Sequence, residues 1–359
     1  MNRVNNPVQI EFGRGAIKFL PRFINGRKAL LITSQGFVKR GIVSELLSDN
    51  SEIIRVIDEV QSNPTITQII KMRSSIKYDE FDVIVALGGG SVIDVAKAIA
   101  PTNFGNKLDF KTLLQTGLPK NVDVKPIIAI PTTAGTGSEV TMWGTVWDDV
   151  NKKKYSISDE KLYCEAAILD PLLHLTLPKD ITLQTGLDAL SHSLETIWNR
   201  NSNEISSIYA DNAIRTILEV LPMLLEDLSN IELRERMLLA SYHAGVAFSI
   251  TQTSIAHAMS YYMTLEKNIP HGIAASITLP YIAEAFGENT SFSMDLIPNL
   301  YDLFEKCNLS LSFEVYGLTM NDFDEIFKQL ESNVRAKNSI VDLEILYKII
   351  ESHFRKKLN

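Results

Sequence analysis

Two cysteines in 359 residues, Cys164 and Cys307, give no material for a disulfide framework. They stand far apart, in no thiolate metal-ligand spacing, and such scarcity points to a reducing, cytosolic compartment. Long apolar runs are missing too: none reaches membrane-spanning length, so no membrane partner is expected. The first residues, Met1-Asn-Arg-Val-Asn-Asn-Pro7, lack the apolar centre of a secretory signal, and a cytoplasmic location is the expectation. Basic charge is short as well. With 35 Lys and Arg against 43 Asp and Glu, the formal net charge is −8, and no basic stripe stands ready to replace the counterions of a nucleic acid. Repeats and low-complexity segments are absent.

What is there is a chain of ordinary globular composition, long enough for two domains. The first half alternates short apolar runs with amphipathic stretches. Strands are predicted at 8–12, 28–33, 51–57, 81–87 and 126–130, and helices at 38–47, 65–74 and 92–100. Strands alternating with helices imply a parallel sheet covered on both faces, a Rossmann-like α/β arrangement. From about Leu183 the apolar period is near 3.6, predicting helices at 186–198, 206–225, 231–248 and 254–263, then helices to the end. Asp170-Pro171 and Leu177-Pro178 mark the boundary, which gives an α/β domain over 1–176 and an all-α domain over 177–359. An active site is expected in the cleft between them, since ligand sites favour such interfaces.

Two loops in the first half invite a phosphate. Gly88-Gly-Gly-Ser91-Val-Ile-Asp94 follows the strand ending at Leu87. Glycines let a backbone approach a pyrophosphate closely, and the next helix offers free N–H groups. Ser91 is placed as an N-cap with Asp94 closing a capping box, so plain helix capping is the competing explanation. The Gly-x-Gly-x-x-Gly fingerprint is absent. After the next strand comes Pro131-Thr-Thr133-Ala-Gly-Thr-Gly-Ser138-Glu-Val-Thr141, whose hydroxyls suit ribose and phosphate. Alone it reads as a solvated loop. Paired with the first, at the C-terminal ends of parallel strands, it reads as a binding loop.

In the second half, Asp188 and His192 stand at i and i+4 of an apolar helix and share a face. His257 and His271 follow. One carboxylate and three imidazoles suit one divalent metal, Fe²⁺ or Zn²⁺. A lone histidine on an apolar helix is more often packed than ligating, but an acid buried beside it needs a partner or a metal. Of the other histidines, His174 lies near the domain junction, His243 reads as a hydrogen-bonded core residue, and His353 in its charged tail reads as solvated.

Together these residues resemble a known family. Gly-Gly-Gly-Ser-x-x-Asp-x-x-Lys at 88–97, Pro-Thr-Thr-x-Gly-Thr-Gly-Ser-Glu-Val-Thr at 131–141, Gly-x-Asp-Ala-x-x-His at 186–192, His257 and Pro270-His271-Gly272 are similar to the iron-containing (group III) alcohol dehydrogenases, in order and spacing, over nearly the whole chain. The resemblance implies the dehydroquinate synthase-like architecture of that family, an NAD(P)H-binding first domain and a helical domain holding one catalytic metal. It places the metal ligands on Asp188, His192, His257 and His271. It places cofactor contacts on Asn63, Gly89, Gly90, Ser91, Asp94, Thr132, Thr133, Ser138 and Lys154. The implied reaction is hydride transfer between nicotinamide and a substrate oxygen polarised by the metal. A homodimer is a further implication, with the strand at 8–12 as a contact.

The chain departs from the family twice. Ser34 stands where many members carry an acid against the adenine ribose, which predicts that NADPH is accepted. Tyr261 stands where many members carry a proton-relaying histidine, so the phenol is the candidate catalytic donor. His257-x-x-x-Tyr261 and the stretch Trp147-Asp148 to Lys153-Lys154-Tyr155-Ser156 resemble the phosphonoacetaldehyde reductase branch, with features shared by the octulosonate 8-oxidase branch. Both take anionic substrates, which makes Arg200, Lys153 and Lys154 candidate cations. The competing expectations are a sugar-acid alcohol oxidising dehydrogenase, a dehydroquinate synthase-like cyclase or lyase, and a non-catalytic nucleotide binder.

Overall fold

The structure, a computed structural model, describes residues 4–102, 110–151, 153–287 and 291–355. The chain falls into two units, Asn5–Thr176 and the chain from Leu177 onward.

The first unit is built on a parallel sheet. Its strands are β1 (Gln9–Phe12), β2 (Ala29–Ile32), β3 (Ile53–Ile57), β4 (Val83–Gly88), β5 (Ile127–Pro131) and β8 (Ala166–Leu169), in the order β1-β8-β5-β4-β2-β3. Every neighbouring pair is parallel. The central strand β4 reads Val-Ile-Val-Ala-Leu-Gly and is buried throughout, as a strand covered on both faces must be. Leu31, Val85, Leu87, Ile128, Ile130 and Ile168 carry one apolar core. β2 and β3 lie on one side of β4, and β5 and β8 on the other. The order therefore reverses between β2 and β4, and loops at such a reversal diverge and leave room for a ligand.

Helix α1 (Ile66–Ser75) starts where expected, with Thr65 Oγ1 accepting from Gln68 N. Helix α2 (Gly90–Ile99) follows β4 directly. The helix expected at 38–47 is instead two pieces, Gln35–Lys39 and Ile42–Asp49, parted at Gly41, whose φ of 80° leaves the helical region. Besides the two-residue strands Pro101–Thr102 and Asp123–Val124, three longer strands went unread. β6 (Trp143–Asp148) and β7 (Lys153–Ser158) form an antiparallel hairpin whose polar residues masked its alternation. β8 is four residues, Ala-Ala-Ile-Leu, between Glu165 and Asp170-Pro171, and too short to stand out from a linker.

The second unit is helical among the described residues. It opens with α3 (Lys179–Ile197), α4 (Glu204–Glu226), α5 (Ile231–Thr251) and α6 (Ile255–Lys267), followed by shorter helices to Arg355. The middle of α3 is buried without a break from Gly186 to Thr196. A helix buried all round should be apolar, yet α3 carries Asp188, Ser191, His192, Ser193 and Glu195 there, and each needs a partner. His353 is half-buried rather than fully solvated. The last helix docks, and the imidazole packs edge-on against Tyr281 and Phe313, with Nε2 3.2 Å from Tyr281 Oη. No described helix is long and apolar enough to cross a membrane.

Candidate metal centre and nucleotide loops

Helix α3 presents Asp188 and His192 on one face, and α6 brings His257 to them. All three are buried, and one ligating atom from each lies within 4.8 Å of the others. Asp188 Oδ1 and His257 Nε2 face each other at 3.3 Å, both without an aligned hydrogen-bond partner. The His192 ring is sandwiched, 4.0 Å from Phe248 and 4.5 Å from His257 between centroids. His271 lies just outside this cluster. It opens a short helix after Pro270, with Nε2 3.9 Å from Asp188 Oδ1 and a side chain 26% exposed. The four residues singled out in the sequence thus converge, three tightly and one at the rim.

The sequence reading missed Glu195. Its carboxylate is fully buried, and Oε2 lies 2.6 Å from His257 Nδ1. Oε1 accepts from the His257 backbone N–H and from Ser254 Oγ. The bond to Nδ1 fixes the tautomer, so Nε2 presents its lone pair toward Asp188; a carboxylate behind a ligating imidazole does this at metal sites generally. The signal was there to be read: Glu195 is three residues after His192 and seven after Asp188, on the same helical face.

The electrostatics ask for a cation. Two buried carboxylates among neutral imidazoles leave a net negative charge in a low-dielectric site, which is costly unless balanced. Burial pushes Asp188 up, but His192, His257 and His271 outweigh it and hold the carboxyl well below its ordinary range. His257, also buried, is raised by Glu195 and Asp188. A divalent ion would replace that proton, so the donor set fits an N/O-ligated metal.

In the α/β unit the predicted cofactor residues gather at the C-terminal ends of β4 and β5. Gly89 is the N-cap of α2 and lies against Thr133. Gly90 admits no side chain, since a Cβ there would stand 2.5 Å from Thr136 Oγ1. Thr132 N donates to Gly88 O, joining the loops at their roots. Ser91 does not cap α2, and Asp94 closes no capping box. Ser91 Oγ instead accepts from Asn63 N at 3.3 Å, and Asp94 Oδ1 accepts from Ser138 Oγ at 2.7 Å. Both side chains turn sideways because neighbouring loops compete for them. Lys154 lies over Trp147 on the β6–β7 hairpin, 5.4 Å from the ring centroid, and Trp147 N donates to Pro64 O. Ser34 stands apart at the end of β2, bridged to Glu59.

Lys97, the last residue of the 88–97 motif, holds this arrangement. Fully buried, its Nζ donates to the carbonyls of Ser138, Thr141 and Trp143 at 2.5, 2.7 and 2.8 Å. A helix after one loop thereby fastens the backbone of the other. Next to it Glu139 is buried, which pushes its carboxyl up to about 7 from the usual 4.5. The folded carboxyl is the weaker acid, so the unfolded chain loses its proton first as pH rises. Stability from this group is complete below pH 4.5 and lost as pH climbs through about 7, up to about 3 kcal/mol in all. Glu139→Gln should abolish that decline: between pH 5 and 8 the variant's melting temperature should gain on the wild type's, and parallel curves would show the carboxyl is not so perturbed.

Residues 7–171 match the pattern of the iron-containing alcohol dehydrogenases, and residues 182–346 match the C-terminal part of the Fe-containing alcohol dehydrogenase family. The chain is 33% identical to the NAD-dependent methanol dehydrogenase of Bacillus methanolicus over 302 residues, 78% of each protein. This chain belongs to the iron-containing alcohol dehydrogenase family. It is 34% identical to 1,3-propanediol dehydrogenase of Citrobacter freundii over 284 residues, 76% of this chain and 72% of that one. Among solved structures, sulfoacetaldehyde reductase from Bifidobacterium kashiwanohense, in complex with NAD+, superposes with a TM-score of 0.88 at 28% identity, covering 99% of this chain and 98% of that one. The fold of that family, a parallel-sheet domain and a helical domain, is the one described above. As a member, the chain is an oxidoreductase acting on CH–OH groups, and the cyclase and the non-catalytic alternatives fall away.

Proposed function

We propose that the chain is a metal-dependent, NAD(P)-linked reductase of small anionic aldehydes, phosphonoacetaldehyde or a close analogue. The observation that carries this is the buried cluster of Asp188, His192 and His257, with Glu195 fixing His257 and His271 at the rim. In this reading Asp188, His192, His257 and His271 hold one divalent ion, and Asn63, Gly89, Gly90, Ser91, Asp94, Thr132, Thr133, Ser138 and Lys154 bind the dinucleotide. When bound, the metal supplies Lewis acidity toward the substrate oxygen and the nicotinamide supplies hydride.

The chain's own residues do the rest. Glu195 holds the His257 Nδ1 proton, so that Nε2 stays a donor of electrons. Gly90 and Gly89 bring main chain within reach of a phosphate, and Lys97 keeps the second loop seated beside them. Tyr261 has a buried hydroxyl, and burial raises its pKa above the ordinary 10 despite Arg335 nearby. Burial thus favours the protonated phenol, which can donate a hydrogen bond to the substrate oxygen. Ser34, without a carboxylate of its own, leaves room for the 2′-phosphate of NADPH. The Gly36 Cβ position lies 3.8 Å from Ser34 Oγ and 3.9 Å from an Arg40 guanidinium nitrogen, so a cation is at hand. A homodimer, through the outer edge of β1, completes the proposal.

The anionic substrate is supported by the likeness to sulfoacetaldehyde reductase, whose named substrate carries a sulfonate. The test is NAD(P)H oxidation by metal-reconstituted protein with phosphonoacetaldehyde, sulfoacetaldehyde, propanal and a sugar-derived aldehyde, each with both cofactors. Turnover that a chelator abolishes, with the anionic aldehydes preferred at least about tenfold in kcat/KM, is the expected outcome. Propanal turned over best would remove the anionic substrate. A preference for oxidising a sugar-acid alcohol would favour the octulosonate-type alternative.

A further inference from the structure

Ser34 leaves the end of β2 without a carboxylate, but the neighbouring strand end supplies one. Ser34 and Glu59 are opposite partners in an isolated antiparallel bridge, just past β2 and β3. Opposite residues in such a pair present their side chains on one face, with Cβ atoms roughly 5 Å apart. Beside them the α/β unit holds a cavity of about 690 Å³, lined among others by Gln35, Glu59, Val60, Thr65, Gln68 and Lys71. That volume lies within the range of small-molecule sites.

The cavity borders the segment that meets the glycine-rich turn. Gln61 and Thr65, two residues to either side of Asn63, both line it. Asn63 N donates to Ser91 Oγ at 3.3 Å, in the first turn of α2. With the pyrophosphate of a dinucleotide at Gly89 and Gly90, its adenosine half would extend from β4 toward β2 and β3, across the reversal in strand order.

The lining is rich in acceptors. Glu59 Oε2 pairs with Lys71 Nζ at 3.1 Å, which leaves Oε1 open to a ligand. Gln68 Nε2 donates to Glu59 O at 3.0 Å, and this fixes the amide, because a carbonyl can only accept. Gln68 Oε1 is then buried with no hydrogen-bond partner among the described residues. A ribose diol brings two hydroxyl donors to such acceptors, whereas a 2′-phosphate brings acceptor oxygens and negative charge. Asp58, Glu59 and Asp149 set three carboxylates around the cavity against the Lys71 ammonium.

We propose that Glu59 sets the cofactor preference: its carboxylate receives the adenine-ribose hydroxyls of NADH and opposes the 2′-phosphate of NADPH. This rests on the dinucleotide-binding reading above. Ser34 admits the 2′-phosphate by its small size. Arg40, whose Cζ stacks 4.3 Å from the Phe37 ring centroid, offers it a counter-charge, so NADPH remains usable but second to NADH. The Glu59 side chain is 63% exposed, so solvent screens the repulsion and the preference is modest.

The experiment titrates wild type, Glu59→Gln and Glu59→Asp with NADH and with NADPH, following nicotinamide fluorescence in the absence of aldehyde. Wild type should bind NADH about tenfold more tightly than NADPH. In Glu59→Gln the Kd for NADH should rise and that for NADPH should fall, bringing the ratio close to one. Glu59→Asp should keep part of the preference, and added salt should narrow it in the wild type. A ratio that Glu59→Gln leaves unmoved, or equal weakening of both cofactors, overturns the assignment, as does a wild type that prefers NADPH. In those cases both cofactors still bind, and only the role of Glu59 is lost. A wild type that binds neither cofactor defeats the dinucleotide reading itself, and Glu59 falls with it.

Discussion

His257→Ala should yield a folded protein that retains little metal after reconstitution and reduces aldehydes at least about a thousandfold more slowly than wild type. Two losses combine. The proposed ligand set loses its most buried imidazole, the one packed between Asp188, Glu195 and the His192 ring. The activation of the substrate oxygen, worth several kcal/mol, goes with the ion. Glu195 also loses its partner at Oε2, and a buried carboxylate without one costs about 3 kcal/mol or more. The variant should therefore melt lower even in chelator, which separates the structural part from the metal part. Glu195→Gln provides the graded comparison. The amide still fills the space, but it no longer favours the Nδ1–H tautomer, and metal affinity should fall by about 10- to 100-fold. Metal content by plasma spectroscopy, beside circular dichroism and turnover, reads all of this. Full metal content in His257→Ala would place the ion elsewhere.

Much of the fold could be read from periodicity, and the exceptions have physical causes. β4 was legible because a strand buried on both faces must be continuously apolar, and Val83–Gly88 is. β8 was not, because parallel pairing with β1 and β5 is a long-range interaction that makes a strand of four otherwise nondescript residues. The proposed metal ligands were legible as one i, i+4 pair and two separate histidines. What joins α3, α6 and the short 271–274 helix is packing, which no spacing encodes. Glu195 lay in plain view on α3, yet an acid in a helix is ordinarily solvated, and only its burial reveals its work. For Ser91 and Asp94, local logic offered helix capping as the competing explanation. The loops bearing Asn63 and Ser138, distant in sequence, claim them instead.

Gly272→Ala should be among the most damaging of single-methyl additions to this chain. A Cβ at Gly272 would stand 1.9 Å from the carbonyl oxygen of Gln184 and 2.7 Å from its carbon, so two backbones meet where only glycine fits. Neither partner can step aside cheaply. Gln184 is in α3, four residues before Asp188, and Gly272 is flanked by His271. Ser276 Oγ lies 2.7 Å from Gly272 O and 3.0 Å from Leu187 O, so its one proton is shared between the two carbonyls and ties the short helix to α3. Ordinary van der Waals separation would require the 271–274 helix to move away from α3 by more than an ångström, against a close-packed interior that resists it. The cost to stability should be about 2–4 kcal/mol. The displacement would also carry His271 away from Asp188, already 3.9 Å distant, and loosening a reactive geometry by an ångström costs roughly a hundredfold in rate. Gly272→Ala should thus pair a lowered melting temperature with weakened metal binding and a reduced kcat, although the substituted residue ligates nothing. His271→Ala separates the two effects: it removes the proposed rim ligand but leaves the helices in contact, so it should lose metal affinity and rate with little loss of melting temperature. Wild-type stability and metal content in Gly272→Ala would show that α3 and the 271–274 helix have slack, and that the position of His271 is not set by this contact.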